Sequence, residues 1–312
     1  MDKAKTKNVV KGAKPTLKKR LKESWQWYLL LLPGLIYLLI FYYGPIYGVQ
    51  IAFKDFRPSK GIWESNWVGF KHFIRFFNHP NFWNMIKNTL SITLYGLALF
   101  PCEIIFALFL NEVRNSKVKK SIQMVTYVPH FLSEVVVCSM LILFLDRVGP
   151  INNLIDFLGG ERTNIMANEN AFSTVYVLSG LWQGIGWGSV LYMSALSSIS
   201  QETVEAARID GANRLQVLWH VNVPGIMPTI VINFLMAVGR IMNLGYSKIY
   251  LLQNDLNIEK SSIISTYTYE IGLIGGQYSY SAAIGLFNNV VNIIILLVAN
   301  KIIKKLTDMS LF

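Results

Sequence analysis

Charged residues are scarce in this sequence of 312 residues. Only 15% of the residues are Asp, Glu, Lys or Arg, whereas 53% are hydrophobic. Soluble globular domains carry about a quarter of their residues as charged side chains, so the composition excludes an ordinary water-soluble protein. The apolar residues also occur in blocks of roughly 20, the length that crosses a bilayer as a helix. We therefore predict an all-α integral membrane protein.

Residues that build disulfides, metal sites and active sites are also few. The two cysteines, Cys102 and Cys138, both fall in apolar blocks, which argues against an extracellular disulfide. The four histidines are scattered, without the paired spacing of a zinc site. No nucleophile–base pair stands out, and no Gly-x-x-x-x-Gly-Lys-Ser/Thr phosphate loop occurs. We expect this chain to have no catalytic residues, no metal, no cofactor and no ATP site of its own.

About six apolar blocks are long enough to cross a membrane. A basic arm at residues 1–24 precedes the first block. That block is too long for a signal peptide and lacks a cleavage site, so we interpret it as a retained helix and residues 25–312 as one transmembrane domain. The predicted spans are Tyr28–Val49, Thr89–Leu110, Met124–Leu145, Thr174–Ala195, Ile226–Gly245 and Ala282–Ile303.

The distribution of Lys and Arg predicts the orientation of these spans. With the N-terminus inside, eighteen of the 29 basic residues lie in inner segments and nine in outer segments. Positive charge is retained on the cytoplasmic side, so we expect both termini to be cytoplasmic. The net charge of +11 then reflects topology and contact with anionic lipid. No aromatic stacking platform accompanies the basic arm, so we expect no nucleic-acid partner.

The segment between the fourth and fifth spans has the pattern of two short helices joined by a glycine. The first helix is predicted from about Glu202 to Asp210, and Gly211 ends it because glycine adopts the left-handed cap conformation freely. Asn213 can cap the second helix, and Gln216 completes a capping box. Pro224 and Pro228 are expected to end this helix and begin the next span. We call this segment, the two short helices joined at Gly211, the elbow. A rigid segment of this kind on the inner surface is suited to receive a mechanical force.

These residues resemble the EAA loop of type I ABC importer permeases, at about residues 198–225. The family pattern is Glu-Ala-Ala, three further residues, Gly, and then Pro about a dozen residues later. Glu205-Ala206-Ala207, Asp210-Gly211-Ala212 and Val221-Asn222-Val223-Pro224 match this pattern at the expected spacing. An ordinary amphipathic loop would need several coincidences of spacing to do the same.

Other stretches resemble the carbohydrate branch of that family, and in particular its oligosaccharide and polysaccharide permeases. One departure is Glu134, which stands where relatives more often carry a large apolar or aromatic residue. The similar stretches are Leu32-Pro33-Gly34, Trp67–Leu90, the second proline Pro228, Gly245–Asn257, Ile264–Gly272 and Lys304–Phe312.

The resemblance implies a type I permease fold in the bacterial cytoplasmic membrane and a role in ATP-driven import of an oligosaccharide or polysaccharide fragment. It implies a second permease subunit, which we expect to be a different related chain, and an extracellular solute-binding lipoprotein. Two copies of a cytoplasmic ABC ATPase would bind ATP and Mg. The implied coupling residues, which would dock on the ATPase, are Glu205, Ala206, Ala207, Asp210 and Gly211. The alternative for Glu205 is a surface charge paired with Arg208.

Polar and aromatic residues within the spans are candidates for the transport pathway. Amides, Arg and aromatic rings suit sugars, and polar groups within spans usually face a cavity or a partner helix. The same side chains also join helices together, so both roles stay open. For Glu103, His130 and Glu134, packing or interhelical hydrogen bonds are favoured over a proton relay. The candidates are Trp182, Gln183, Trp187, Tyr192, Asn233, Arg240, Asn243, Asn288 and Asn292.

Other classes of transporter make different demands on the sequence. A type I permease for another solute class is the main alternative, although anion transport would call for clustered basic residues in the spans, where only Arg240 lies. A secondary transporter predicts broken helices and internal repeats, and no repeat is found. A membrane-embedded enzyme is disfavoured by the lack of catalytic groups.

Overall fold

The computed structural model describes residues 24–307, and the predicted basic arm lies outside the described residues apart from Ser24. The chain divides into two compact units at Gln50 and Ile51. Its helices are α1 (Trp25–Leu38), α2 (Gly44–Ile46), α3 (Gly61–Glu64), α4 (Lys71–Phe77), α5 (Phe82–Ala98), α6 (Pro101–Glu112), α7 (Ser116–Tyr127), α8 (Glu134–Leu145), α9 (Pro150–Phe157), α10 (Glu169–Ser197), α11 (Gln201–Ile209), α12 (Arg214–Val217), α13 (Val223–Val238), α14 (Tyr246–Leu252), α15 (Ile258–Ser261), α16 (Ile264–Tyr269) and α17 (Tyr278–Thr307).

The first unit is a single apolar helical segment. Helix α1 continues through a π turn (Leu39–Tyr43) into α2 and then a 3-10 segment (Tyr47–Phe53). Together they form 29 residues, Trp25–Phe53, that are long and apolar enough to cross a membrane. The predicted first span, Tyr28–Val49, lies within this segment. Its backbone groups are satisfied by helical hydrogen bonds, as a lipid environment requires.

Near its start, the second unit contains a small two-stranded sheet. Strands β1 (Lys54–Arg57) and β2 (Ser65–Trp67) pair antiparallel, with Lys54 opposite Trp67. Helix α4 follows and packs on α17. Its Phe76 is buried against Phe82 and Phe287, and its Arg75 lies 4.1 Å above the ring of Tyr280. One face of this aromatic helix is therefore covered by the protein itself.

The second and sixth predicted spans are present and longer than expected. Helices α5 and α6 form one apolar segment of 31 residues, Phe82–Glu112, interrupted only at Leu99 and Phe100 before Pro101. Helix α17 has 30 residues and also passes as a span. The fifth predicted span, Ile226–Gly245, ends early, because α13 stops at Val238.

The third predicted span, Met124–Leu145, is wrong as a single helix. A 3-10 turn (Val128–Phe131) follows α7, and the chain bends by 99° between Phe131 and Glu134. Pro129 lies in that turn, and the Ser133 hydroxyl accepts a hydrogen bond from the Val136 N–H, which starts α8 anew. A fresh N-cap at this point fixes the break. The segment is a broken span or a re-entrant loop.

Judged by helix length and composition, the structure contains fewer membrane spans than the six predicted. Within residues 24–307, four helices are long and apolar enough to cross a membrane, or five if the bent pair is one span. Helix α10 has 29 residues but is not among these segments. The count of six and the cytoplasmic position of both termini stay predictions.

Helix α10 is the centre of the second unit, because it packs against α5, α6, α7, α13 and α15. Its N-terminal half contributes Phe172 and Val177 to an apolar cluster shared with α5, α8 and α14. Its C-terminal half contributes Tyr192 and Leu196 to another cluster shared with α6 and α13. A third cluster joins α4, α5, α16 and α17. Both cavities described below are lined in part by α10.

Candidate translocation pathway and coupling elbow

Two cavities lie beside α10. Cavity A, of about 450 Å³, is bounded by α5, α6, α8, α10, α13 and α14, and its polar lining includes Thr93, Glu103, Glu134, Gln183 and Lys248. Cavity B, of about 440 Å³, is bounded by α6, the C-terminal half of α10 and α13 with the turn that follows it. Each has the volume of a site for a small organic molecule, typically 300–1,000 Å³.

Cavity A contains a buried cation that sequence reasoning missed. Lys248 is only 7% exposed, and its Nζ lies 3.4 Å from the Tyr176 carbonyl oxygen and 5.1 Å from the centre of the Tyr176 ring. Its neighbour Ser247 donates a hydrogen bond to the Glu134 carboxylate. Lys248 is one of the nine basic residues that the predicted topology places in outer segments. The available signal was its position as the sole charged residue of the apolar helix α14.

Cavity B brings together four of the predicted pathway residues: Trp187, Tyr192, Asn233 and Arg240. Trp187 stacks on His130 with ring centres 4.7 Å apart, and the Asn233 amide donates to the Thr229 carbonyl at 2.9 Å. Aromatic faces next to an amide and a guanidinium form a surface that can bind both the faces and the hydroxyls of a sugar. The transport role of these residues stays a prediction.

The other predicted pathway residues are divided between cavity A and positions outside both cavities. Gln183 lines cavity A, where its amide donates to the Leu132 carbonyl at 3.0 Å. Asn292 is buried and accepts a hydrogen bond from the Met242 N–H at 2.9 Å, which joins α17 to the end of α13. Asn292 and three further residues are not part of either lining: Trp182, Asn243 and Asn288.

Glycines in α10 set how closely its neighbours approach. A Cβ at Gly186 would lie 2.5 Å from the Thr126 carbonyl carbon, so only glycine lets α7 and α10 cross at this distance. Gly186 therefore has a packing role. Gly188 instead faces the side chain of Glu103, on α6.

The predicted elbow is present in detail. Helix α11 ends before Gly211, whose φ of +88° is the left-handed conformation that favours glycine. The Asn213 side chain accepts from the Gln216 N–H at 2.9 Å, and the Gln216 side chain accepts from the Asn213 N–H at 2.8 Å. This is the predicted capping box.

The elbow differs from the prediction at its second helix. Pro224 and Pro228 do not close that helix, because α12 continues through a π turn (Leu218–Asn222) into α13, giving one helix from Arg214 to Val238. The π turn widens the backbone just before Pro224, where a regular turn would bring the proline ring against an earlier carbonyl. The elbow is thereby joined to the fifth predicted span without a break.

The coupling residues present an open surface. Glu205, Ala206, Asp210 and Gly211 are exposed, and Ala207 is half-buried. The Glu205 carboxylate accepts a hydrogen bond from the Gln201 amide at 3.0 Å, and no ion pair with Arg208 is found in the described part of the chain. Nearby, Ile209 is 86% exposed and Leu215 is 66% exposed.

Comparison with known proteins identifies a family and several relatives that this chain resembles. Residues 103–307 match the family model described as the binding-protein-dependent transport system inner membrane component. Protein LplB of Bacillus subtilis is 43% identical over 93% of this chain and 92% of its own length. The polygalacturonan/rhamnogalacturonan transport system permease protein YteP of Bacillus subtilis is 42% identical over 91% of this chain and 89% of its own.

A solved structure has the same fold. A chain in the crystal structure of a bacterial alginate ABC transporter, in complex with an alginate pentasaccharide-bound periplasmic protein, superposes with a TM-score of 0.85. It is 35% identical, and the match covers 95% of this chain and 99% of that one. The prediction of a type I ABC importer permease fold is confirmed, as is that of a transport subunit and not an enzyme. The chain belongs to the family of binding-protein-dependent transport system inner membrane components, the permease subunits of ABC importers.

Proposed function

We propose that this chain forms half of the translocation pathway of a bacterial importer for an oligosaccharide or polysaccharide fragment, driven by a separate ATPase. The observation that carries the coupling part is the exposed elbow of α11, Gly211 and α12, which continues without a break into α13. A shift of the elbow is transmitted along that helix to Asn233, in the wall of cavity B.

The elbow surface supports docking to an ATPase. Ala206 and Ala207 have short side chains that allow a partner to approach closely, and the exposed apolar side chains of Ile209 and Leu215 provide area to bury. Exposed apolar patches rimmed by polar groups mark interaction surfaces. Glu205 lies at the edge of this patch and offers a carboxylate oxygen for a polar contact.

The substrate class is supported by the named relatives and by the lining of cavity B. YteP is a polygalacturonan/rhamnogalacturonan permease, and the solved neighbour belongs to an alginate importer. Both substrates are acidic saccharides. The cations Arg240 in cavity B and Lys248 in cavity A supply positive charge that suits such a substrate, while the exposed Trp187 supplies a ring face.

The complete importer in this proposal contains further subunits. A second permease, different from but related to this chain, forms the other half of the pathway. Two cytoplasmic ABC ATPases bind ATP and Mg, and an extracellular solute-binding lipoprotein delivers the saccharide. The assembly lies in the bacterial cytoplasmic membrane, with both termini of this chain inside.

The test is uptake by the complete complex in proteoliposomes. Galacturonan, alginate and arabinan trisaccharides are supplied with the binding protein outside and ATP inside, and ATP-dependent uptake of at least one is expected. Glu205→Lys should lower uptake at least tenfold and weaken copurification of the ATPase. Glu202→Lys is the matched control, an exposed charge reversal on the same helix, and should retain uptake. Saturable uptake by this chain alone without nucleotide would overturn the proposal, as would uptake of an amino acid or phosphate in place of every saccharide.

A further inference from the structure

Glu103 lies where the two cavities meet. It is in the first turn of α6, and with Phe100 and Ala237 it belongs to the lining of both cavity A and cavity B. These three residues are the wall between the cavities in this chain. Two are apolar, so Glu103 supplies the polar group of that wall.

The Glu103 carboxylate occupies space next to α10 that is free because residue 188 is a glycine. The carboxylate lies against the backbone at Gly188, where an added Cβ would be 2.6 Å from Oε1 and closer still to Oε2. One turn earlier on α10, a Cβ at Gly184 would lie at an ordinary 3.9 Å from Oε1. A side chain at position 188 would therefore displace the carboxylate, whereas one at position 184 would not.

The Glu103 carboxylate has no fixed structural partner. Among residues 24–307, no hydrogen bond or ion pair to it is found, although Arg240 and Tyr192 share cavity B with it and Lys248 and Glu134 share cavity A. An ionisable group within a span is costly and is normally paired or functional. An interhelical hydrogen bond, one of the roles favoured for Glu103 from the sequence, therefore has no donor among the described residues.

We propose that Glu103 is a substrate-contacting residue, whose carboxyl group hydrogen-bonds sugar hydroxyls as a saccharide passes between cavity B and cavity A. Neighbouring hydroxyls on a sugar ring are donors at a spacing that suits the two oxygens of one carboxylate. The inference rests on the proposed saccharide function and adds to it a named residue at the boundary between the cavities.

The experiment measures the KM and maximal rate of uptake in the same proteoliposomes, with arabinan and galacturonan trisaccharides as probes. Glu103→Ala should raise the KM of the transported probe about tenfold or more, as expected for loss of a hydrogen bond to a charged group. Glu103→Gln keeps one acceptor and adds a donor, so its KM should rise less.

Two glycine variants separate a binding role from a packing role. Gly188→Ala should raise the KM although the carboxyl group is still present, because it moves that group out of its place on α10. Gly184→Ala is the control and should keep the KM within twofold. Thermal unfolding and copurification with the other subunits identify any variant that has failed to fold.

The outcomes distinguish the inference from the proposed function. If the wild-type complex takes up a probe and Glu103→Ala and Gly188→Ala both retain its KM within twofold, Glu103 does not touch substrate and the inference is overturned. If the wild type takes up neither these probes nor an alginate trisaccharide, the saccharide function is overturned, and this inference with it.

Discussion

Gly186→Ala tests whether the crossing of α7 and α10 depends on a missing side chain. An added Cβ would lie 2.5 Å from the Thr126 carbonyl carbon and 2.9 Å from the Thr126 Cβ. Favourable carbon contacts are about 3.5–4.0 Å, so the helices would have to separate by about 1 Å. Because the obstructing atoms are backbone, no rotamer change relieves the contact.

The expected effect is the difference between two opposing contributions. Replacing glycine by alanine within a helix favours the helix by about 0.5–1 kcal/mol. Overpacking costs about 1–3 kcal/mol, and the upper part of that range applies where backbone must move. We expect a net loss of about 1–2 kcal/mol, which corresponds to a fall in the unfolding midpoint of several degrees.

The assay is thermal unfolding in detergent, followed with a dye that becomes fluorescent when it labels thiols. Cys138 is 1% exposed in the folded chain, so its labelling reports loss of the core. Gly184→Ala, on the same helix, would make only an ordinary contact of 3.9 Å with Glu103 Oε1; it is the control and should leave the midpoint unchanged or raise it. A midpoint for Gly186→Ala equal to that of the control would refute the packing argument.

Three further substitutions test single features of the fold. Gly211→Ala places a side chain at φ +88°, at a cost of about 1–2 kcal/mol, and should lower uptake per ATP hydrolysed while folding is retained. Asn213→Ala removes the capping box, at about 1 kcal/mol, and should speed hydrogen exchange at the Gln216 amide. Asn257→Ala leaves the Leu252 carbonyl without its side-chain donor and removes the acceptor of the Asn254 N–H and the Ser261 hydroxyl, while the Met166 carbonyl keeps Asn254 as a donor. The midpoint of thermal unfolding should therefore fall by more than in Gly186→Ala, since each unsatisfied buried group costs about 1–3 kcal/mol.

The Gly211 turn and the capping box of the elbow could be predicted residue by residue because their signals are local. Gly211 at a positive φ and the reciprocal bonds of Asn213 and Gln216 each depend on residues within one turn of the helix. Such caps are set by backbone geometry and need no tertiary partner. The same holds for the first span, whose apolar block is uninterrupted.

The broken third span shows where hydropathy is insufficient. The apolar residues continue across Pro129 and Ser133, so a window average finds one span, whereas the chain turns by 99°. Pro129 and the N-cap Ser133 are local signals for a break in the helix. The hydropathy of the same residues instead favours one continuous span. Tertiary packing of α8 against α14 settles the outcome.

The cavities could be predicted only in part. Residues of one span that are seven apart, such as Asn233 and Arg240, can be placed on one face by their spacing, and cavity B contains both. Lys248 and Glu103 come from helices distant in the sequence, and their meeting around α10 follows from packing that no single-helix pattern encodes. The predicted topology assigns Lys248 to an outer segment because it follows the predicted end of the fifth span at Gly245.

The unbroken helix from the elbow to Val238 leads to a last prediction about how force is transmitted. At 1.5 Å per residue, its 25 residues span roughly 37 Å, more than the hydrocarbon core of a bilayer. A hinge near its start would absorb a push before it reached cavity B. Trp219 and His220 lie in the π turn with exposed side chains, so replacing both removes little packing.

Replacing this pair by Gly-Gly should therefore uncouple the importer, and Ala-Ala is the matched control. Both variants lose the same side chains, including the hydrogen bond from His220 to the Gln216 carbonyl, but glycine costs helix about 1 kcal/mol per residue relative to alanine. We expect Gly-Gly to hydrolyse ATP with several-fold less uptake per ATP and Ala-Ala to stay near wild type. Equal coupling in the two variants would mean that the elbow does not act through the rigidity of this helix.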